Sequence, residues 1–135
     1  MANLSDYTEG LIATWLAGGV APTQLTTVFL DVHNGDPGET STPNGTSVYQ
    51  TLTGSAGRKS LTTATSFTAT NDVVRNNLIE LTTNAGACTI VGFAIWTANT
   101  SGSMIYYGTV SSSPVTIGAG DTVRFDANSI TLTVA

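Results

Sequence analysis

The run "CTIVGFAIWTA", residues 88–98, is apolar at odd and even positions alike. Successive side chains of a strand point to opposite faces, so this pattern demands cover on both sides. It reads as one central strand, buried on both faces. The rest of the chain must supply that cover.

The supply is visible from Pro22 onward. Thr, Val, Ile, Phe and Tyr dominate, broken at short intervals by turn residues. "LTTVFLDVH" (25–33) is strand-like, with Val28, Leu30 and Val32 on one face. "SVYQTLT" (47–53) is a second candidate, and "SFTAT" (66–70) a weak one. "NNLIELTTN" (76–84) sets Leu78 and Glu80 on one face, Ile79 and Leu81 on the other. "SMIYYGTV", "PVTIG", "DTVRFDA" and "SITLTV" follow. Short strands with regular turn signals predict a mainly β fold, an antiparallel β-sandwich or barrel-like single domain over residues 1–135.

Residues 1–22 differ. In "NLSDYTEGLIATWLAGG", Leu4, Tyr7, Leu11, Ile12, Trp15 and Leu16 recur at helical spacing. Asn3 or Ser5 can cap the start, Asp6 and Glu9 suit the positive end of the helix dipole, and Gly18-Gly19 stops it. A helix this short is marginal alone, so its apolar face is expected to dock, first of all on the domain's own sheet. The β-domain is then 23–135.

Composition narrows the function. Charged residues make up 10% of the chain against a usual ~25%, which implies a surface hidden in an assembly or coated with Thr, Ser and Asn. Net charge is −5, and the basic residues Arg58, Lys59, Arg75 and Arg124 are scattered apart from one pair. Phosphate contacts need clustered cations, so no nucleic-acid partner is expected. No apolar run approaches the ~20 residues of a bilayer span, and no signal peptide is visible. Synthesis in a reducing cytoplasm follows, with Cys88 as a small buried hydrophobe and no disulfide. The N-x-[ST] triplets at Asn3, Asn44 and Asn99 then read as chance products of a Thr- and Asn-rich chain.

"LDVHNGDPGET" (30–40) packs Asp31, His33, Asp36 and Glu39 into nine residues. Asp31, Asn34, Asp36 and Glu39 offer oxygens for calcium, but the spacing is not that of a calcium loop. Zinc would need more His or Cys. A Ser-His-Asp set can be drawn on paper from His33, Asp31 and any serine, yet no nucleophile elbow or nucleotide-binding glycine motif accompanies it. The preferred reading is turn chemistry. Asn34-Gly35 suits φ > 0, Asp36-Pro37-Gly38 is a turn tripeptide, and the acids keep the strand edge solvated. Residues 34–47 then form a long loop, and "GSAGRKS" (54–60) a second. No catalytic, cofactor-binding or metal residues are assigned.

The order of motifs is informative. "FLDVHNGDPGE" is followed by "VYQTL", then "VGFAIWTANTSGSMIYYGTV", then "AGDTVRFDANSITLTVA". This resembles small virion structural proteins of tailed bacteriophages. Their pattern is a strand ending in "LHTADPG"-like sequence, an "hGIFDA…GG…hhYG"-like hairpin and a closing "AGDThxFxAGxhxhTL". Phe93, Ile95 and Trp96 match the hairpin strand, Tyr106, Tyr107 and Gly108 its return, and Gly120-Asp121 the last turn. "HNGDPG" and "DANS" depart from the pattern. Many such proteins are labelled tail fibre proteins, and some decorate capsids. The resemblance implies a non-enzymatic virion protein made in the host bacterial cytoplasm. The first expectation is a capsid decoration or cement protein that binds the major capsid protein and copies of itself, since no repeat or coiled coil builds a fibre shaft. The alternative is a tail fibre or tail-tip protein contacting a host glycan, with Tyr49, Trp96, Tyr106 and Tyr107 as stacking surfaces. Core packing is the preferred reading of those aromatics, because they alternate with apolar neighbours.

Overall fold

The structure, a computed structural model, describes residues 2–81, 86–110 and 114–134. In chain order the elements are β1 (Ala2–Leu4), α1 (Asp6–Leu16), β2 (Thr27–His33), α2 (Tyr49–Thr53), β3 (Lys59–Thr62), α3 (Thr63–Ser66), β4 (Phe67–Thr70), β5 (Val73–Asn76), β6 (Ile79–Leu81), β7 (Cys88–Ile90), β8 (Gly92–Trp96), β9 (Met104–Thr109), β10 (Val115–Ile117), β11 (Val123–Phe125) and β12 (Thr131–Thr133). The expected mainly β architecture holds. The end of the 76–84 run lies outside the described residues.

Eight strands form one sheet in the order β3-β2-β8-β9-β1-β12-β5-β4, and β7–β10 and β6–β11 form two small antiparallel ribbons. The sheet curls. Strands β9 and β4 stand four steps apart, about 19 Å in a flat sheet. Yet the rings of Phe67 on β4 and Tyr106 on β9 meet edge-on with centroids 6.3 Å apart. The main core fills the hollow: Val28, Leu30, Val32, Phe93, Ile95, Tyr106 and Leu132 from the sheet meet Ile79, Leu81, Ile90, Ile117 and Phe125 from the ribbons. Leu78 and Glu80 face outward while Ile79 and Leu81 face in, as their alternation predicts.

The apolar run at 88–98 is two strands rather than one. Cys88–Ile90 pairs with β10, and Gly92–Trp96 pairs with β2 and β9. The chain changes sheets at Val91, whose N–H donates to the His33 carbonyl (2.8 Å) and whose carbonyl accepts from Val110 N–H (2.9 Å). All five residues of β8 are buried, so the demand for cover on both faces is met there.

Three further differences have physical causes. Residues 49–53 are a helical turn, not a strand. Tyr49 and Leu52 sit three apart, which puts both on one helical face in the core, and Gly54 ends the turn at φ +76°. Before the helix, Ala2–Leu4 adds a strand between β9 and β12, and the β1–β12 pairing is parallel. Helix α1 does follow, capped by Ser5, but no residue of it is buried. Trp15 is 51% and Leu16 75% exposed, so the apolar face expected to dock on the sheet is largely left uncovered. What anchors α1 is its first turn. The Ser5 hydroxyl is buried against the Met104 and Ile105 carbonyls, and Thr8 Oγ1 donates to Ile105 O at 2.7 Å. A register shift between Ile95 and Trp96 disturbs the β8–β9 ladder at this point.

Candidate functional site

The sheet has a second buried face. Along β2, Val28, Leu30 and Val32 enter the core, so Phe29, Asp31 and His33 point the other way. Their partners on β8 are Trp96, Ala94 and Gly92. Phe29, Trp96, Ala94, Met104 and Tyr107 form a small apolar cluster on this side. The residues opposite Asp31 and His33 are small, which leaves room above the two polar side chains. Three loops fill that room in part.

The first is residues 34–47. Its two arms are pinned together: Asn34 N–H donates to Thr46 O (3.0 Å), Thr46 N–H to Asn34 Oδ1 (2.8 Å), and His33 bridges Ser47. The Asn-Gly pairs serve this closure. Gly35 is not in the left-handed region. A Cβ on Gly45 would lie 2.5 Å from Gly35 N, so close approach of the arms is what requires glycine, not φ > 0 as the turn reading of Asn34-Gly35 expects. Asp36-Pro37-Gly38 is a turn as predicted, with Gly38 at φ +75° and its N–H donating to Asp36 Oδ1 (3.0 Å). Pro37 is fully buried against Gly92, where any Cβ would strike its ring. The second loop brings Arg58, and the third is the β8–β9 turn. They lock to each other through Arg58 N–H and Asn99 Oδ1 at 2.7 Å.

Arg58 crosses the face. Its guanidinium lies 3.9 Å above the Trp96 ring. Nη1 donates to Ala98 O and Ser101 O, both at 2.7 Å, and Nε to Asp31 Oδ2 at 3.3 Å. Burial pulls the Arg58 pKa below its ordinary value, and Asp31 opposes that pull. The other carboxylate oxygen, Asp31 Oδ1, accepts from Ser47 Oγ (2.6 Å) and Val32 N–H (2.9 Å). Asp31 is therefore a buried, paired charge.

His33 is also buried. Its Nδ1 lies 3.0 Å from Gly45 O, and a carbonyl only accepts, so Nδ1 holds a proton. Nε2 sits 3.5 Å from Asp31 Oδ2 and makes no hydrogen bond. The Trp96 indole Nε1 is likewise buried without a partner. A cleft of about 290 Å³ opens here, lined by Asp31, His33, Ser41, Ser47, Arg58 and Trp96 among others.

The clustered acids thus divide. Asp31 and His33 line the cleft, whereas Asp36 and Glu39 are exposed. With Asp6 and Glu9 they surround Tyr107, whose hydroxyl pKa is raised first by burial and then by these carboxylates. Among the described residues no three His, Cys, Asp or Glu side chains are placed to hold a metal ion. Tyr49, Trp96, Tyr106 and Tyr107 are all buried, so none offers an open stacking face. Cys88 is half-buried, and burial raises its thiol pKa. A second hollow, about 380 Å³, lies among Phe93, Ile117, Phe125 and Ile130. Its walls are largely core side chains and, among the described residues, hold no unpartnered buried polar atom, so the Asp31–Arg58 cleft is the better candidate.

Asp31 lies in a span whose sequence reads as turn chemistry, and its partner Arg58 is 27 residues away. The available signal was a carboxylate and an imidazole inside a strand next to one that needs cover on both faces.

No curated protein matches the chain. A family model described as podophage GP4 fiber I protein gp80 matches residues 3–133. That span includes every strand except the first residue of β1, and both walls of the cleft. It agrees with the resemblance of the hairpin and closing motifs to small phage virion proteins, and the chain belongs to this family of podophage fibre proteins, components of the virion.

Proposed function

We propose that the protein is a non-enzymatic subunit of a phage tail fibre, held in the particle at its N-terminal helix and facing the host surface with its loop-built cleft. The family match over residues 3–133 carries this reading and favours the tail-fibre alternative over the capsid cement role. The helix supports it. Trp15, Leu16 and Val20 are exposed, and residues 10–25 hold no charged side chain. A second copy of the chain is the fitting partner, because two such faces meet without charge repulsion and exclude water from the same apolar surface. Fibre subunits need such contacts, since the domain alone has no shaft-forming repeat.

The test is a phage lacking the protein. Particles that keep their heat stability but fail to adsorb to cells are expected. Shells that rupture at lower temperature, with adsorption unchanged, would return the protein to the capsid.

A further inference from the structure

We propose that the cleft between Asp31, His33 and Trp96 binds one neutral sugar unit through its hydroxyl groups. The inference deepens the fibre reading, on which it rests for the source of the sugar, a bacterial surface polysaccharide.

The chemistry comes from the two unpartnered atoms. Native proteins rarely bury a polar side-chain atom without a partner. Here two occur, on two residues that line one cleft. Trp96 Nε1–H can only donate. His33 Nδ1 holds its proton toward Gly45 O, and its Nε2 makes no hydrogen bond. A hydroxyl donates and accepts at once. It answers His33 and Trp96 together, and vicinal hydroxyls answer each separately. The Ser41 and Ser47 hydroxyls at the same cleft add groups of the same kind.

Charge selects against anions. Asp31 and Arg58 neutralise each other, and the guanidinium already spends Nε and Nη1 on Asp31, Ala98 and Ser101. A phosphate or carboxylate would meet Asp31 without a free cation to balance it. Size favours a single ring: about 290 Å³ falls just below the ~300–1,000 Å³ of sites for larger ligands. The site is also preformed. Its loops are fixed by the Asn34–Thr46 and Arg58–Asn99 hydrogen bonds and by the Gly35–Gly45 contact, so little ordering accompanies binding.

The chain's two tryptophans provide the experiment. Trp96 lines the cleft, and Trp15 lies exposed on α1. The full chain, labelled with nitrogen-15, is titrated with a panel of neutral monosaccharides, with glucuronate, with inorganic phosphate, and with polysaccharide prepared from the host surface. The Trp96 indole signal is expected to move with a neutral sugar and with the polymer, while the Trp15 signal stays in place and the two anions have no effect. Ser41→Tyr, on an exposed loop position, fills the cleft and is expected to weaken binding at least tenfold with the spectrum otherwise preserved. No Trp96 shift with any sugar or with the polymer would overturn the site and leave an ordered water as the partner of His33 and Trp96. Equal shifts of both indoles would overturn it as non-specific association. Failure here leaves a tail location standing, whereas sugar binding by a protein found on the shell would keep the site and remove the fibre reading.

Discussion

Arg58→Met removes the guanidinium beside the buried Asp31 and over the Trp96 ring, and keeps an unbranched apolar side chain of similar length. At 3.3 Å the pair attracts by ~5 kcal/mol with an effective dielectric near 20. The net effect is smaller, because Asp31 Oδ1 keeps its bonds from Ser47 and Val32. Removing one partner of a buried ion pair costs ~3–5 kcal/mol, since the other charge is stranded. The lost contact with the Trp96 face adds ~0.5–1 kcal/mol. A total of about 5 kcal/mol corresponds to a fall in Tm of roughly 15–20 °C for a domain of this size. Urea unfolding at pH 7 measures it. Asp31→Asn with Arg58→Met is expected to be at least ~1.5 kcal/mol more stable than the sum of the single changes, as contacting residues couple by 0.5–3 kcal/mol. A single Arg58→Met within ~0.5 kcal/mol of the parent, or strict additivity in the cycle, would refute the buried-pair account.

Trp15→Ala is expected to cost under ~1.5 kcal/mol, as the ring is half-exposed, while sedimentation shows loss of self-association; a cost above ~3 kcal/mol would mean that the ring is buried in the domain core. Asn76 is buried, donates to the Asn77 and Asp126 carbonyls (2.8 and 3.0 Å) and accepts from Ile130 N–H (2.8 Å), so Asn76→Ala should lose ~2–4 kcal/mol in the same urea assay. Burial raises the Tyr106 pKa above the ordinary 10.0, so the unfolded chain releases this proton first. The resulting stability is complete below pH 10.0 and declines as pH rises above it toward the folded value, and Tyr106→Phe should flatten that alkaline decline in a Tm–pH series.

Local patterns were legible where one face of a strand was at stake. The alternation at Ile79-Glu80-Leu81 and the two-sided apolar stretch of β8 both told which way side chains point. Helix α1 was legible from its spacing and its Ser5 cap, but its docking was not, since an apolar stripe does not say whether its cover comes from the same chain. Tyr49–Thr53 misled because five residues are too few to separate a period of 3.6 from one of 2; Gly54, in the left-handed region, was the helix signal. The break at Val91 was hidden because both halves of the run are apolar. The cleft depends on partners far apart in the chain, Asp31 with Arg58 and Arg58 with Asn99, which no local window contains.

The place of the protein on the particle separates a fibre subunit from a shell protein. Gold-labelled antibody against this domain, imaged on intact virions by electron microscopy, tests it most directly. Label is expected only on the fibres at the tail vertex. Label spread over the shell lattice, with the tail bare, would contradict it.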